Sequence, residues 1–264
     1  MYFDALYVYK KVNSFANYRT PYWRTLESFP YLGTFFPGDN PNNNSTYTDN
    51  YGNSFQGNGY DGYLPTFEGL LSDYSGTFGF KSERNKWYFD TSITIGGNTQ
   101  TYVVSNSHNR NEVFEPNFNP DTGNFDAVRL YQENSQIRFN QGGTSFKHVV
   151  GNVDVFKTLT KNTSIALGAE FRNETFSVLP GELASYDGGG ADSFAGNSPE
   201  NSGDFDRYNI GAYIDFSWDI SERFLLNSAA RLENYSDFGN AFVYKLSSLF
   251  KLSENLRLRS SLST

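Results

Sequence analysis

Residues 207–235 read RYNIGAYIDFSWDISERFLLNSAARLENY, and their period decides the fold. Every second residue from Tyr208 is apolar: Tyr208, Ile210, Ala212, Ile214, Phe216 and Trp218. The residues between them, Arg207, Asn209, Gly211, Tyr213, Asp215 and Ser217, are mostly polar. A period of two belongs to a β-strand with two unlike faces. After Asp219-Ile220-Ser221-Glu222 the alternation returns, with Phe224, Leu226, Ala230 and Leu232 set against Arg223, Asn227, Arg231 and Glu233. The apolar face looks either into a protein core or out into lipid, and the functional reading turns on which.

The rest of the composition leans the same way. Among 264 residues there are 25 Phe, 19 Tyr and 24 Gly, a mixture that favours strands and turns over helices. Mean hydropathy is -0.57, and no apolar run is long enough for a transmembrane helix. A membrane-spanning β-strand needs only about 9–11 residues, half of them facing lipid, so a barrel stays open. With no cysteine, disulfide scaffolds, thiolate metal sites and cysteine nucleophiles are excluded. A net charge of -8 argues against nucleic acid as a partner. Residues 1–20 lack the basic start and apolar core of a signal peptide.

The alternation predicts about nine strands, over 2–15, 68–82, 87–104, 144–156, 163–177, 207–218, 223–235, 241–250 and 256–263. Several exceed the roughly 5–6 residues usual in soluble sheets. The breaks are of two kinds. Long ones, rich in Asn, Gly and Pro, cover 16–67, 105–143 and 179–205, short ones fall at 83–86, 158–162, 219–222 and 251–255, and a brief one at 236–240 stands where a long one would alternate. Consecutive antiparallel strands would put the short turns at one end and the long loops at the other, as in outer-membrane barrels. Bulky aromatics assigned to the apolar face (Trp87, Phe156, Trp218, Phe224, Phe250) gather at the short-turn end, like an interfacial girdle. The opposite face carries Asp90, Asp154, Glu170, Arg172, Glu174, Asp215, Arg231, Glu233, Arg257 and Arg259. So many ionisable groups suit a wet lumen better than a dry core. A soluble β-sandwich or propeller also alternates, usually with shorter strands and without this loop asymmetry.

At 229–264 the sequence AARLENYSDFGNAFVYKLSSLFKLSENLRLRSSLST resembles the mid-barrel segment of TonB-dependent outer-membrane receptors. It carries that family's R-x-E-x-Y-S-D-F-G strand and turn, then a strand with L-R-x-S-x-S. The loop ELASYDGGG at 182–190, the strand RYNIGAYID at 207–215 and the segment 146–174 are also similar to the family, in its branch common in Bacteroidetes-type bacteria. The resemblance spans roughly 143–264 and is weaker before that. It implies an all-β transmembrane antiparallel barrel of 22 strands, of which 1–264 would be a partial barrel of about nine, without plug domain or closing C-terminal strands. It also implies the outer membrane of a Gram-negative bacterium, with outer-membrane lipid, the TonB complex and the plug as partners. The implied role is active uptake of a scarce nutrient such as an iron-siderophore, haem, cobalamin or glycan. No catalysis, cofactor or metal is expected.

The candidate ligand-contacting residues lie in the long loops: Tyr22, Trp23, Phe35 and Phe36 in the most aromatic stretch, and Glu182, Tyr186 and Asp187 beside three glycines. Aromatics there either offer stacking surface to a ligand or pack loop against loop. The glycine loop is either a gate or simply a flexible connection. Glu170, Arg172, Glu174, Arg231, Glu233, Arg257 and Arg259 are expected to face the lumen and plug. Ile210, Ala212, Ile214, Phe216, Trp218, Phe224 and Leu226 are expected to face lipid. Glu170 and Glu174, four apart on a strand, lie about 13 Å apart, too far for a glycosidase pair. His108 and His148 lack a neighbouring nucleophile, and Asp121–Asp126 reads as a turn rather than a calcium loop. The competing class is a soluble or surface-attached β-rich module that binds carbohydrate or acts as an adhesin.

Overall fold

The computed structural model describes residues 1–264. β1 (Tyr2–Phe15) leads into a first long excursion carrying α1 (Leu32–Phe35) and the small hairpin β2 (Thr46–Thr48) and β3 (Ser54–Gln56). β4 (Thr66–Arg84) and β5 (Trp87–Ser105) follow. A second excursion carries the hairpin β6 (Phe114–Asn119) and β7 (Asn124–Arg129), ahead of β8 (Arg138–Thr158) and β9 (Thr163–Leu179). A third holds α2 (Leu183–Tyr186), and β10 (Gly203–Ser221), β11 (Phe224–Tyr235), β12 (Gly239–Lys251) and β13 (Arg257–Ser263) complete the chain.

Nine of these strands form one antiparallel sheet in the order β1-β4-β5-β8-β9-β10-β11-β12-β13. The order is that of the sequence once the small hairpins are set aside, so every long strand pairs with the next. The end strands β1 and β13 do not pair with each other. All nine predicted strands are present, and most run longer than the alternation indicated: β8 has 21 residues, β4, β5 and β10 have 19 each. The four short strands inside the loops were not foreseen. The loops now run 16–65, 106–137 and 180–202, all at one end of the sheet; the tight turns lie at the other, except the β11–β12 turn at 236–238, which falls at the loop end.

The register separates the two faces. Ile214 sits opposite Leu167 on one side and Ala230 on the other, while Asp215 sits opposite Ala166 and Ala229. Because the period is two, the row Ile210, Ala212, Ile214, Phe216, Trp218 shares one face with Leu226 and Phe224. One aromatic is corrected. Phe156 lies opposite Tyr88 and Ala166, on the face of Asp154 and Asn152, so it belongs to the polar side, away from Trp87 and Trp218. The residue-by-residue period from Val149 to Val155 required this.

The tight turns have local causes. Arg84 pairs with Trp87, leaving Asn85 and Lys86 as a two-residue loop with φ of 53° and 65°. Positive φ at both central positions is the type I′ geometry that suits the right-handed strand twist. At the loop end, β8 has a register shift opposite Tyr102/Val103, next to Gly142 at φ 79°. A Cβ on Gly142 would lie 2.1 Å from the Leu179 carbonyl oxygen, so only glycine fits.

Most strand residues are open on one face or both. The most buried apolar cluster is instead in the first loop: Leu26, Tyr31, Leu32, Tyr60 and Tyr63, with Phe29, Phe35, Phe36, Tyr47 and Phe55 packed against it. The three long loops pack together there and make the chain's densest interior.

Candidate functional site

The loop interior is organised around one carboxylate, Asp192 in the third loop. Arg24 of the first loop grips it with two hydrogen bonds, Nε to Oδ2 at 2.9 Å and Nη2 to Oδ1 at 2.7 Å. The Tyr63 hydroxyl donates to Oδ2, and the Ser107 hydroxyl of the second loop donates to the Asp192 backbone carbonyl at 2.8 Å. Arg19 and Arg110 stand at 3.5 and 3.6 Å from the carboxylate. Burial pushes the Asp192 carboxyl up, but the hydrogen bonds from Arg24 and Tyr63 outweigh it and hold the group at about 2. The same site raises the Tyr63 hydroxyl, first through burial and then through the neighbouring carboxylate.

His108 sits beside this carboxylate, fully buried and ringed by Phe29, Tyr31, Phe36 and Tyr63 with centroids 5.4–6.3 Å away. Neither ring nitrogen has a hydrogen-bond partner. Burial lowers its titration to about 4, Asp192 only partly opposing the shift, so the ring is neutral at pH 7. A second knot ties the loops nearby. Arg129 reaches Glu133 at 2.9 Å and Asp49 at 3.6 Å and lies over the Tyr51 ring at 4.1 Å. Asn109 donates to the Ala184 and Asp187 carbonyls at 3.0 and 2.9 Å, joining the second loop to the third.

The loop candidates divide into two groups. Tyr22 and Trp23 remain largely exposed, at 86 % and 61 %, directly before Arg24. Phe36 stacks on Tyr63 at 4.3 Å and Phe35 packs edge-on to Tyr31 at 5.6 Å, both within the loop interior. The Glu182 carboxylate accepts from the Asn140 amide at 2.6 Å and the Gln136 side chain at 2.7 Å. The Asp187 carboxylate accepts from the Tyr131 hydroxyl at 2.9 Å. Those two acids close loop on loop, and Tyr186 between Glu182 and Asp187 is half-buried. Asp121–Asp126 is the tip of the β6–β7 hairpin, where Asn119 caps the turn.

On the sheet, five of the seven charged candidates form one network. Arg172 bridges Glu170 at 2.9 Å and Glu174 at 3.6 Å, and Arg231 bridges Glu233 at 2.7 Å and Glu170 at 3.5 Å. Arg207, which the sequence reading did not single out, also pairs with Glu174 and extends the chain towards Asp237 at 3.8 Å. Arg257 and Arg259 stand apart on β13, opposite Lys251 and Leu249. Nearer the tight turns, Tyr213 lies over Gly168, where a Cβ would come within 2.1 Å of its ring, and donates to Asp154 at 2.7 Å. A pocket of about 460 Å³ opens there, lined in part by Tyr88, Asp90, Asp154, Phe156 and Tyr213. His148 lies on the same face, opposite Glu174, with no nucleophile paired to it.

A long-stranded antiparallel sheet with two unlike faces and all its long loops at one end defines a barrel wall. Residues 8–264 match the family described as TonB dependent receptor-like, beta-barrel, and the chain belongs to that family. Its members are outer-membrane receptors and transporters rather than enzymes, and the soluble-module alternative finds no support. No curated protein matches the sequence. Similar solved structures include a mutant of the ferric enterobactin receptor (PfeA) from Pseudomonas aeruginosa, at 12 % identity over 76 % of this chain and 30 % of that one, TM-score 0.47. The siderophore receptor PirA from Pseudomonas aeruginosa shares 11 % identity over 76 % of this chain and 36 % of its own, TM-score 0.35. The ferric-catecholate import receptor Fiu from E. coli shares 14 % over 84 % and 38 %, TM-score 0.26. The chain thus spans about a third of these structures' lengths.

Proposed function

We propose that this chain is part of the wall of an outer-membrane import receptor in a Gram-negative bacterium. The row Ile210-Ala212-Ile214-Phe216-Trp218, continued by Leu226 and Phe224, faces lipid. The network of Glu170, Arg172, Glu174, Arg231 and Glu233, with Arg257 and Arg259 beyond it, faces the lumen and a plug domain. The loops around Asp192 face the outside and meet the ligand, with exposed Tyr22 and Trp23 as first contacts. The TonB complex supplies the energy for uptake, acting through the rest of the receptor. The ligand is a scarce nutrient of the siderophore, haem, cobalamin or glycan kind, and no chemistry is done on it.

One observation carries this reading: the apolar face stays exposed along the sheet while the opposite face ties its charges to one another. Ile210 is 53 % and Trp218 44 % exposed with no other part of the chain over them. Lipid is the cover that suits such a face. Strand length supports it further. Nineteen residues in β10 reach about 60 Å at a rise of ~3.3 Å per residue, roughly twice the hydrocarbon thickness, so the loops are lifted clear of the bilayer.

Residues 1–264 hold no cysteine, so a reporter cysteine placed among them is unique within this segment. A fluorophore on Ile214→Cys, in the receptor reconstituted into brominated lipid, should be quenched by lipid. One on Asp215→Cys should be quenched by aqueous iodide instead. Iodide quenching at both positions would refute the membrane-wall reading.

A further inference from the structure

The turn end of the sheet carries a charge opposite to that of the chain. Segments 83–86, 157–162, 219–223 and 251–257 hold seven Lys and Arg against four Asp and Glu, a local +3, whereas the chain as a whole is at -8. Two of these cations lie on the apolar face. Arg84 on β4 sits opposite Trp87 on β5, and Trp87 sits opposite Lys157 on β8, so the three share that face in one row across neighbouring strands. Lys157 Nζ stands over the Trp87 ring at 4.3 Å, and Trp87 remains 44 % exposed. Adjacent strands lie about 4.8 Å apart, so the two cations flank the indole from backbones ~10 Å apart. The acids of this region, Glu83, Asp90 and Asp154, lie on the opposite face. There Lys81 pairs with Asp90 at 3.4 Å, whereas Arg84 and Lys157 pair with no carboxylate. A cation on an apolar face is costly in hydrocarbon and becomes favourable where hydrocarbon gives way to phosphate.

We propose that Arg84, Trp87 and Lys157 form a binding site for the headgroup phosphate of an anionic phospholipid in the leaflet at the turn end. The two cations meet the phosphate from either side, and the indole sits at headgroup level between them. A zwitterionic headgroup fits less well. Its ammonium finds no carboxylate on this face, and Lys157 already covers a face of the Trp87 ring. Trp218 continues the aromatic level on β10, but it sits opposite Thr163 and Leu226 with no cation beside it, so the site is confined to β4, β5 and β8. The inference rests on the reading of the apolar face as lipid-facing, and it adds which lipid is held and where.

The test uses the whole outer-membrane protein that carries this sequence, purified in detergent and followed by native mass spectrometry. Phosphatidylglycerol, phosphatidylcholine and inorganic phosphate are added in separate titrations. Phosphatidylglycerol should stay bound, phosphatidylcholine should bind several-fold more weakly, and inorganic phosphate should not bind. One cation beside an anionic lipid surface is worth roughly fivefold in affinity, so Arg84→Gln combined with Lys157→Gln should weaken phosphatidylglycerol binding about 25-fold. Arg223→Gln, which removes a charge from a turn outside the row, should leave it unchanged. None of these side chains makes an ion pair, so every variant should keep the heat-resistant migration of the folded barrel. Equal binding of the two lipids, unchanged binding in the double variant, or an equal loss in Arg223→Gln would overturn the lipid site. Inorganic phosphate bound with the same dependence on Arg84 and Lys157 would overturn it too, in favour of a free anion. The fluorophore at Ile214→Cys separates this inference from the one beneath it. Lipid quenching there without a preference for phosphatidylglycerol overturns only the lipid site, whereas iodide quenching there overturns the membrane-wall reading itself.

Discussion

Lowering the pH from 7.5 to 5 should loosen the packed loops while leaving the sheet intact, and His108 sets the size of the effect. Its ring is fully buried and titrates at about 4, against 6.5 for an exposed histidine. A group whose folded value is depressed binds fewer protons folded than open, so stability falls as the pH drops below 6.5 and levels off near 4. At pH 5 the open form would be favoured by about 2 kcal/mol relative to neutral pH, roughly a 30-fold rise in the open population. Asp192, held at about 2, keeps its charge throughout this window, and Arg24, raised by its hydrogen bond to Asp192, stays charged, so neither confounds the result. The assay is hydrogen exchange read by mass spectrometry and corrected for intrinsic rate. Faster exchange is expected around Ser107–Asn109 and Ala191–Asp192 and none in β9 or β10. His108→Phe, which keeps an aromatic ring among Phe29, Tyr31, Phe36 and Tyr63, should abolish the dependence. Equal loop exchange at the two pH values, or the same dependence in His108→Phe, would refute the argument.

Other perturbations act on separate parts of the chain. Asp192→Asn strands three guanidinium groups, and removing one partner of a buried pair costs about 3–5 kcal/mol, so limited proteolysis should cut the loops while the strands survive. If the apolar row faces lipid as proposed, Ile214→Arg should cost about 2–4 kcal/mol near the bilayer midplane and lower the folded fraction on unheated gels, whereas Asp215→Asn on the other face should not. Lys86→Gly should stabilise the turn by about 1 kcal/mol, since a side chain at φ 65° is strained, and the urea midpoint should rise. Gly142→Ala should cost more than the ~1–2 kcal/mol of left-handed backbone alone, because its Cβ would meet the Leu179 carbonyl, and assembled barrel should be scarce.

The sheet was legible because its information is local. A period of two over 207–218 names both faces of β10 without reference to any other strand, and the register agrees along its whole length. Phe156 went astray where an aromatic at a strand end was grouped by its bulk and the period was not carried through to the last residue. The loop interior was not legible for the opposite reason. Arg24 and Asp192 are 168 residues apart, and no spacing rule links them. For Phe35 and Phe36 the sequence left ligand stacking and loop packing both open, and the structure puts the two rings against Tyr31 and Tyr63. The available signal was a lone histidine amid Asn and Ser at 105–111, an unusual companion for a solvated loop. The β6–β7 hairpin had a clearer one: Phe118-Asn119 and Asn124-Phe125 mirror each other about a Pro-Asp-Thr-Gly turn.

The densest packing in this chain lies off the sheet, in loops bound together through Asp192, His108 and Arg129. Loops of 23 to 50 residues would ordinarily move as independent flaps, each losing its own freedom when a ligand arrives. Here that ordering is complete before any encounter. The three cannot close one by one, since Arg24, Ser107 and Asp192 each come from a different loop and hold the same point. Movement is left to the cluster as a single body, pivoting on the strand ends at Phe15 and Thr66, Ser105 and Arg138, Leu179 and Gly203. These three loops therefore behave as one rigid cover on six hinges, and whatever lifts it must act on all six together.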